Sequence, residues 1–191
     1  METRDQAGGY LYAVYPDDAK QIYVKTPQYL DKILENNPEL KPLSPNGRPA
    51  KYFRIRRGLY GCQLSCRLFY KMFQEFMIGS ATKLNEEGHR GAGWDQSEID
   101  PCVFYTKKGK GFAVLCCHVD DSLILVTRDE DGQRIRNEFS EACASRFAVS
   151  PECTDGDVHE YLSMFITIDR KEGTMTFKTV SYTHLTLPTK A

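Results

Sequence analysis

Phe112-Ala113-Val114-Leu115-Cys116-Cys117, His118-Val119-Asp120-Asp121 and Leu123-Ile124-Leu125-Val126 form the stretch on which the fold turns. The two apolar runs are short and rich in β-favouring residues, and each ends near charged or glycine-rich sequence. They read as the two strands of a hairpin that carries adjacent carboxylates at its tip. The acids lack the glycine partner of an ordinary tight hairpin turn. Two carboxylates about 4 Å apart repel by up to ~4 kcal/mol at an effective dielectric near 20. A divalent cation is the usual relief for such repulsion. An acidic turn facing water is the other reading that this segment allows by itself.

The bulk composition narrows the class without choosing a function. A chain of 191 residues has room for one domain with a real core, or for two small lobes. Its 41% hydrophobic and 12% aromatic content are those of a globular protein. The net charge of -1 gives no global signal for nucleic acid or membrane. No apolar run approaches the length of a transmembrane helix, so no membrane partner is expected. Residues 1–5 resemble neither a secretory nor an organellar leader. The seven cysteines are irregularly spaced with no CxxC pair, which argues against a zinc site and fits a reducing, intracellular compartment. Charge is unevenly spread. Between residues 41 and 71 there is no acid, but there are Lys41, Arg48, Lys51, Arg54, Arg56, Arg57, Arg67 and Lys71. Such a block is either a phosphate-facing surface or a solvated basic face balanced by the acidic half of the chain.

The hydrophobic patterns outline the rest. Residues 10–15 and 21–24 read as strands, residues 27–36 as a short helix with Pro27 near its first turn, and residues 36–49 as a proline-rich loop. Residues 51–56 alternate, giving a half-buried strand with Arg54 and Arg56 on its outer face. Residues 63–77 form the clearest helix, with Leu64, Leu68, Phe69, Met72, Phe73, Phe76 and Met77 in one core-facing stripe. Residues 79–94 read as a glycine-rich loop, and a strand begins at Cys102. Residues 129–146 predict a second long helix with Asp129 at its start and Ile135, Phe139, Ala142 and Phe147 inward. Residues 150–157 read as a loop, followed by strands over 161–168 and 174–177. The order predicts an α+β fold, an antiparallel sheet with helices packed on one face. Residues 181–191 differ in texture and are similar to a peptide produced when sequencing-adaptor DNA is translated. They are expected to be a non-native tail outside the fold.

Several blocks together resemble the reverse transcriptase of copia-type LTR retrotransposons. Leu59-Tyr60-Gly61 with Ser65, Arg67, Phe69 and Tyr70 resembles the family's LYGLKQSPRxWY block. Asp100-Pro101-Cys102-Val103-Phe104-Tyr105 resembles DPCVF(Y), and Val119-Asp120-Asp121 resembles the YVDD loop. Asp5 to Leu11 is similar to DVxxA(F/Y)L, with Ile22-Tyr23-Val24-Lys25 following as IYVK. Tyr161-Leu162-Ser163 with Ile166 and Ile168 resembles the downstream FLGIxI strand. Order and spacing agree over roughly residues 5–178. A single VDD would be weak evidence; ordered blocks along a whole chain are much more specific.

The resemblance implies a right-hand polymerase palm with part of the fingers over residues 1–180, and RNA-directed DNA polymerase chemistry. It implies two Mg²⁺ or Mn²⁺ ions about 3.5–4 Å apart. Asp5 and Asp120 would be their ligands, with Asp121 as the supporting acid. Tyr10 would lie under the incoming sugar, although an inward-facing aromatic is the plainer reading of that residue. Gly61 and Ser65 would line the nucleotide pocket, with Gly61 allowing close backbone approach. Arg54, Arg56, Arg57, Arg67 and His118 would face a primed RNA or DNA template, and the second substrate would be a dNTP. An intracellular site (cytoplasm, virus-like particle or nucleus) follows from the same resemblance. There are departures. His118 replaces the loop's usual Tyr, Gln63-Leu64 replaces Lys-Gln, Cys66 replaces Pro and Ser163 replaces Gly. The strand bearing Asp5 would begin upstream in the family. Further fingers, thumb, RNase H, integrase and protease regions would belong to a parent polyprotein. The isolated chain is accordingly expected to be inactive, and a degenerate, non-catalytic remnant is the alternative function. Another palm-type phosphoryl-transfer enzyme, such as a nucleotide cyclase, fits the LYG and DPCVF blocks less well.

Overall fold

The computed structural model describes residues 1–5, 9–27, 29–37, 51–86, 88–147 and 154–179. In chain order its elements are β1 (Glu2–Asp5), a 3-10 turn (Gly9–Tyr12), β2 (Tyr23–Lys25), α1 (Leu30–Asn36), β3 (Tyr52–Arg54) and α2 (Gln63–Ile78). There follow β4 (Asp95–Gln96), β5 (Val103–Lys108), β6 (Gly111–His118), β7 (Asp121–Val126) and α3 (Glu130–Arg146). The last elements are β8 (Thr154–Asp155), β9 (Val158–Tyr161), β10 (Met164–Asp169) and β11 (Thr174–Thr179). The chain divides into two units, Met1–Gly9 with Tyr70–Ala191, and Tyr10–Phe69. The architecture is mixed α+β with antiparallel sheets.

The first unit is organised by alternation along β5, β6 and β7. Phe104 and Thr106 on β5, Ala113, Leu115 and Cys117 on β6, and Ser122 and Ile124 on β7 are all buried. The register places Phe104 opposite Leu115 and Leu115 opposite Ile124, so these residues share one face. The sheet has six strands in the order β4-β5-β6-β7-β1-β8, with antiparallel neighbours throughout. Helical rings cover its buried face. Phe73 of α2 meets Phe104 edge-on at 6.1 Å between centroids, and Phe76 meets Phe139 of α3 at 6.4 Å and Phe147 at 5.1 Å. Trp94 closes the cluster 5.1 Å from Phe139. The N-terminus of α3 is capped by Asp129, whose Oδ1 accepts from Gly132 N at 2.7 Å. That bond holds the Asp129 carboxyl below the usual carboxylate range. Glycine is required where α3 meets β6, because a Cβ on Gly111 would lie 2.5 Å from Gly132 N.

β1 is only four residues long, yet it pairs with β7 on one side and β8 on the other. Alternation turns Glu2 and Arg4 toward α3, where both are buried. Glu2 Oε1 accepts from Arg4 Nε, and its Oε2 accepts from Arg136 Nε of α3 at 2.6 Å. Arg4 also donates to Ser140 Oγ and lies 5.2 Å above the Phe139 ring. The carboxylate is therefore engaged through both oxygens, the condition under which a buried charge is tolerated. A three-stranded sheet, β11-β10-β9, completes the unit, with Ile166 and His159 paired across β10 and β9 and both buried.

In the second unit β2 and β3 form an antiparallel pair, and Val14 bridges to Arg57. Tyr10, Ala13, Tyr15, Ile55 and Phe69 are its buried hydrophobics. Tyr10 packs edge-on against Tyr60 at 4.5 Å and Phe69 at 6.0 Å.

Three expectations change. Residues 10–15 are not a strand: Gly9–Tyr12 is a 3-10 turn, closed by Ala13 N donating to Tyr10 O at 3.1 Å. Burial of Tyr10 and Ala13, three residues apart, overrides the β-propensity of the tyrosines. Residues 161–168 are not one strand, because Leu162 and Ser163 adopt φ of 51° and 58° and turn β9 into β10. The 150–157 loop contains β8, which extends the main sheet beside β1. The proline-rich segment over 38–50 and the tail over 181–191 lie outside the described residues.

The ion trio makes a specific prediction. Glu2→Gln leaves Arg4 buried without its carboxylate, and unfolding stability should fall by about 3 kcal/mol or more. Urea denaturation measures this; a change below about 0.5 kcal/mol would show that β1 does not depend on the trio.

Candidate functional site

The β6–β7 hairpin closes in two residues. His118 and Asp121 are its last paired positions, leaving Val119 and Asp120 as the turn. Val119 has φ of 57°, while Asp120 is not among the positive-φ residues. A positive φ at the first central position alone is the pattern of a II′ turn, which glycine normally occupies. A β-branched residue there is strained, by about 1–2 kcal/mol. The turn is thus tight despite lacking Gly, and its strain is borne by the eight- and six-residue strands on either side.

The tip presents carboxylates at successive positions, Asp120 in the turn and Asp121 at the first residue of β7, both half-buried. Register adds a third. Asp5, the last residue of β1, is the direct partner of Asp121. Directly opposed antiparallel residues have Cα atoms about 4.5–5.5 Å apart. The expectation set Asp5 beside Asp120; the register makes Asp121 its immediate partner, with Asp120 the next residue along. Among the described side chains, no group of three His, Cys, Asp or Glu is arranged around one point.

Two further groups border the tip. The Tyr161 hydroxyl donates to Cys116 O at 3.4 Å. Burial pushes this phenol up to about 12, and nearby Cys116, Cys117 and Asp121 reinforce the shift, so it remains a neutral donor at physiological pH. No local pattern places Tyr161 at the hairpin; its position follows from β8, which pairs with β1 and leads directly into β9 beside β1 and β7. His118 is exposed at the end of β6, opposite Asp121.

The other sequence-selected residues lie in the second unit. Tyr10 is 8% exposed, with its hydroxyl 3.0 Å from Cys66 Sγ. Ser65 is fully buried; its Oγ accepts from Leu59 N at 3.0 Å and lies 3.4 Å from the Tyr15 hydroxyl. The Ser65 hydroxyl thereby holds the turn before α2. Gly61 has φ of +85°, and a Cβ added there would meet nothing within 4 Å, so backbone conformation, rather than close approach, calls for glycine. Arg54 pairs with Asp17 at 2.8 Å, and Arg57 donates to Leu11 O at 3.0 Å. Arg56 and Arg67 are exposed.

Compared with family models, curated proteins and solved structures, the chain finds no match. The chemistry of the site therefore rests on its donors. Asp120 and Asp121 are successive carboxylates at the hairpin tip, and oxygen donors of this kind are the ligand type of hard divalent cations.

The strained turn yields a test. Val119→Gly should raise stability by about 1 kcal/mol, because relief of the positive φ exceeds the backbone entropy that glycine adds to the unfolded chain. Thermal denaturation reads the change; a destabilisation of about 1 kcal/mol or more would contradict the turn geometry.

Proposed function

We propose that this chain carries the metal-binding hairpin of an RNA-directed DNA polymerase palm, of the kind found in copia-type retrotransposons. The observation that supports it is the register of β1 on β7, which sets Asp5 against Asp121 beside the Asp120 turn. Asp5, Asp120 and Asp121 would hold two divalent cations. Bound there, such ions supply charge neutralisation for a triphosphate and activation of a primer 3′-hydroxyl.

The chain's own residues have distinct tasks in this reading. The strained Val119 turn fixes the Asp120 carboxylate at the apex of a rigid hairpin, so little reorganisation is needed on binding. Asp121, in a regular strand position, fixes the spacing to Asp5. Neutral Tyr161 donates a hydrogen bond beside the acids without adding charge. His118, exposed at the same tip, would face the primer end. In the second unit, exposed Arg56 and Arg67, together with Arg54 and Arg57, would follow a template–primer backbone. Tyr10, Gly61 and Ser65 would shape the nucleotide pocket through packing, since Tyr10 and Ser65 are buried.

Calorimetry with Mn²⁺ should show binding heat that Asp120→Asn reduces by at least ~10-fold in affinity, as expected for loss of one of a few charged ligands. Absence of heat for both forms would reject the site. Binding of a recessed RNA–DNA duplex should weaken steeply between about 50 and 200 mM salt. One-nucleotide primer extension, with Asp5→Asn as control, separates outcomes: metal binding with no product from either form identifies a non-catalytic remnant.

A further inference from the structure

Behind the carboxylate hairpin lies a second arrangement of reactive groups that the polymerase reading does not use. Val103 is paired with Cys116, so one step back along the ladder Cys102 stands opposite Cys117. The Cys117 N–H donates to Cys102 O at 2.9 Å, so the two residues stand directly across from one another just before β5 begins. Such pairs have Cα atoms about 5.5 Å apart. Disulfides span Cα separations of about 4.4–6.8 Å. The two cysteines are both free.

The surroundings are ordered around this pair. Cys102 N donates to Asp100 Oδ1 at 2.8 Å, and Pro101 O accepts from Tyr70 Oη at 2.9 Å and Gln96 Nε2 at 2.7 Å. The Cys102 backbone is thus held against the end of β6. Exposure differs between the partners: Cys102 is half-buried, whereas Cys117 is buried. Burial pushes the Cys117 thiol up to about 12, so Cys102 is the thiol that a reagent meets first. Cys116, adjacent in sequence, alternates to the opposite face of the sheet and does not share this contact.

We propose that Cys102 and Cys117 are a reversible thiol–disulfide site whose co-reactant is a low-molecular-weight disulfide of the glutathione class. The Cys102 thiolate attacks one sulfur of the reagent, forming a mixed disulfide and releasing one reagent thiolate, which takes up a proton. The Cys117 sulfur, losing its proton, then attacks the Cys102 sulfur and releases the second reagent thiol. The protein loses two protons and two electrons, and the reagent disulfide takes them up and is reduced to two thiols. The bond links the start of β5 to β6 three residues before Asp120, stapling the strand that carries the hairpin. The site rests on strand register and the Cys117–Cys102 backbone bond, so it stands or falls independently of the metal reading.

The test is oxidation of the folded full chain in glutathione redox buffers, followed by acid quench, alkylation and intact mass measurement. A species carrying two fewer alkyl groups is expected, lighter than the fully alkylated chain by two adduct masses plus about 2 Da, and reductant before alkylation should restore the fully alkylated mass. Proteolysis should yield a cross-link between the peptide bearing Cys102 and the peptide bearing Cys116 and Cys117. Cys116→Ser should keep that link and Cys117→Ser should remove it. Near-UV circular dichroism of each variant confirms that it is folded, and the wild-type cross-link gives a readout that needs no variant. No cross-linked peptide at any buffer ratio, or a link that survives Cys117→Ser and is lost with Cys116→Ser, would overturn the proposal.

Discussion

The first unit depends on burying one carboxylate correctly. Glu2 lies between Arg4 on its own strand and Arg136 on α3, and this trio fixes β1 between β7 and β8. A short strand has little backbone pairing with which to choose its register. A one-residue slip would turn positions 2 and 4 away from α3, separating Glu2 from Arg136 and leaving the helix face without its partner charge. Buried ion pairs contribute little net stability compared with apolar packing, but a misplaced one is costly. Here that asymmetry selects a register, and the register is what brings Asp5 to Asp121.

The hairpin imposes the second constraint. A II′-type turn with Val at the glycine position stores strain, and the neighbouring strands hold it in place. The consequence is local rigidity at the residues that carry the adjacent carboxylates. On a short, strained turn between paired strands the backbone positions of Asp120 and Asp121 are fixed. Tyr161 adds a neutral donor at the same edge. The burial that raises its pKa also keeps the flank of the hairpin partly dry, which strengthens electrostatic interactions there.

Much of this was legible in the chain because periodicity is a strong signal. The alternation across residues 111–126 and the stripe from Leu64 to Met77 correspond to β6, β7 and α2, and Asp129 marks the start of α3. Other features left no local trace. Leu162-Ser163 contains none of the residues that announce a left-handed turn, so residues 161–168 read as one strand. Glu2 and Arg136 are 134 residues apart, and no pattern joins them. The candidate site was half readable: the paired acids stand out and an inward-facing Tyr10 was among the readings, but nothing in the sequence announces the Ser65 hydroxyl accepting from Leu59 N. Gly61, expected to allow close backbone approach, has open space where a Cβ would lie and is distinguished by its positive φ.

The most direct measurement of the central claim is paramagnetic broadening by Mn²⁺ in amide NMR spectra of the folded chain. Ions held by the carboxylate cluster should broaden the amides of residues 3–5 and 119–122 first, at metal concentrations that leave the outer face of α3 sharp. Broadening that begins at Glu138 and Glu141, or that affects exposed acids uniformly, would contradict a metal site built by the β1–β7 register.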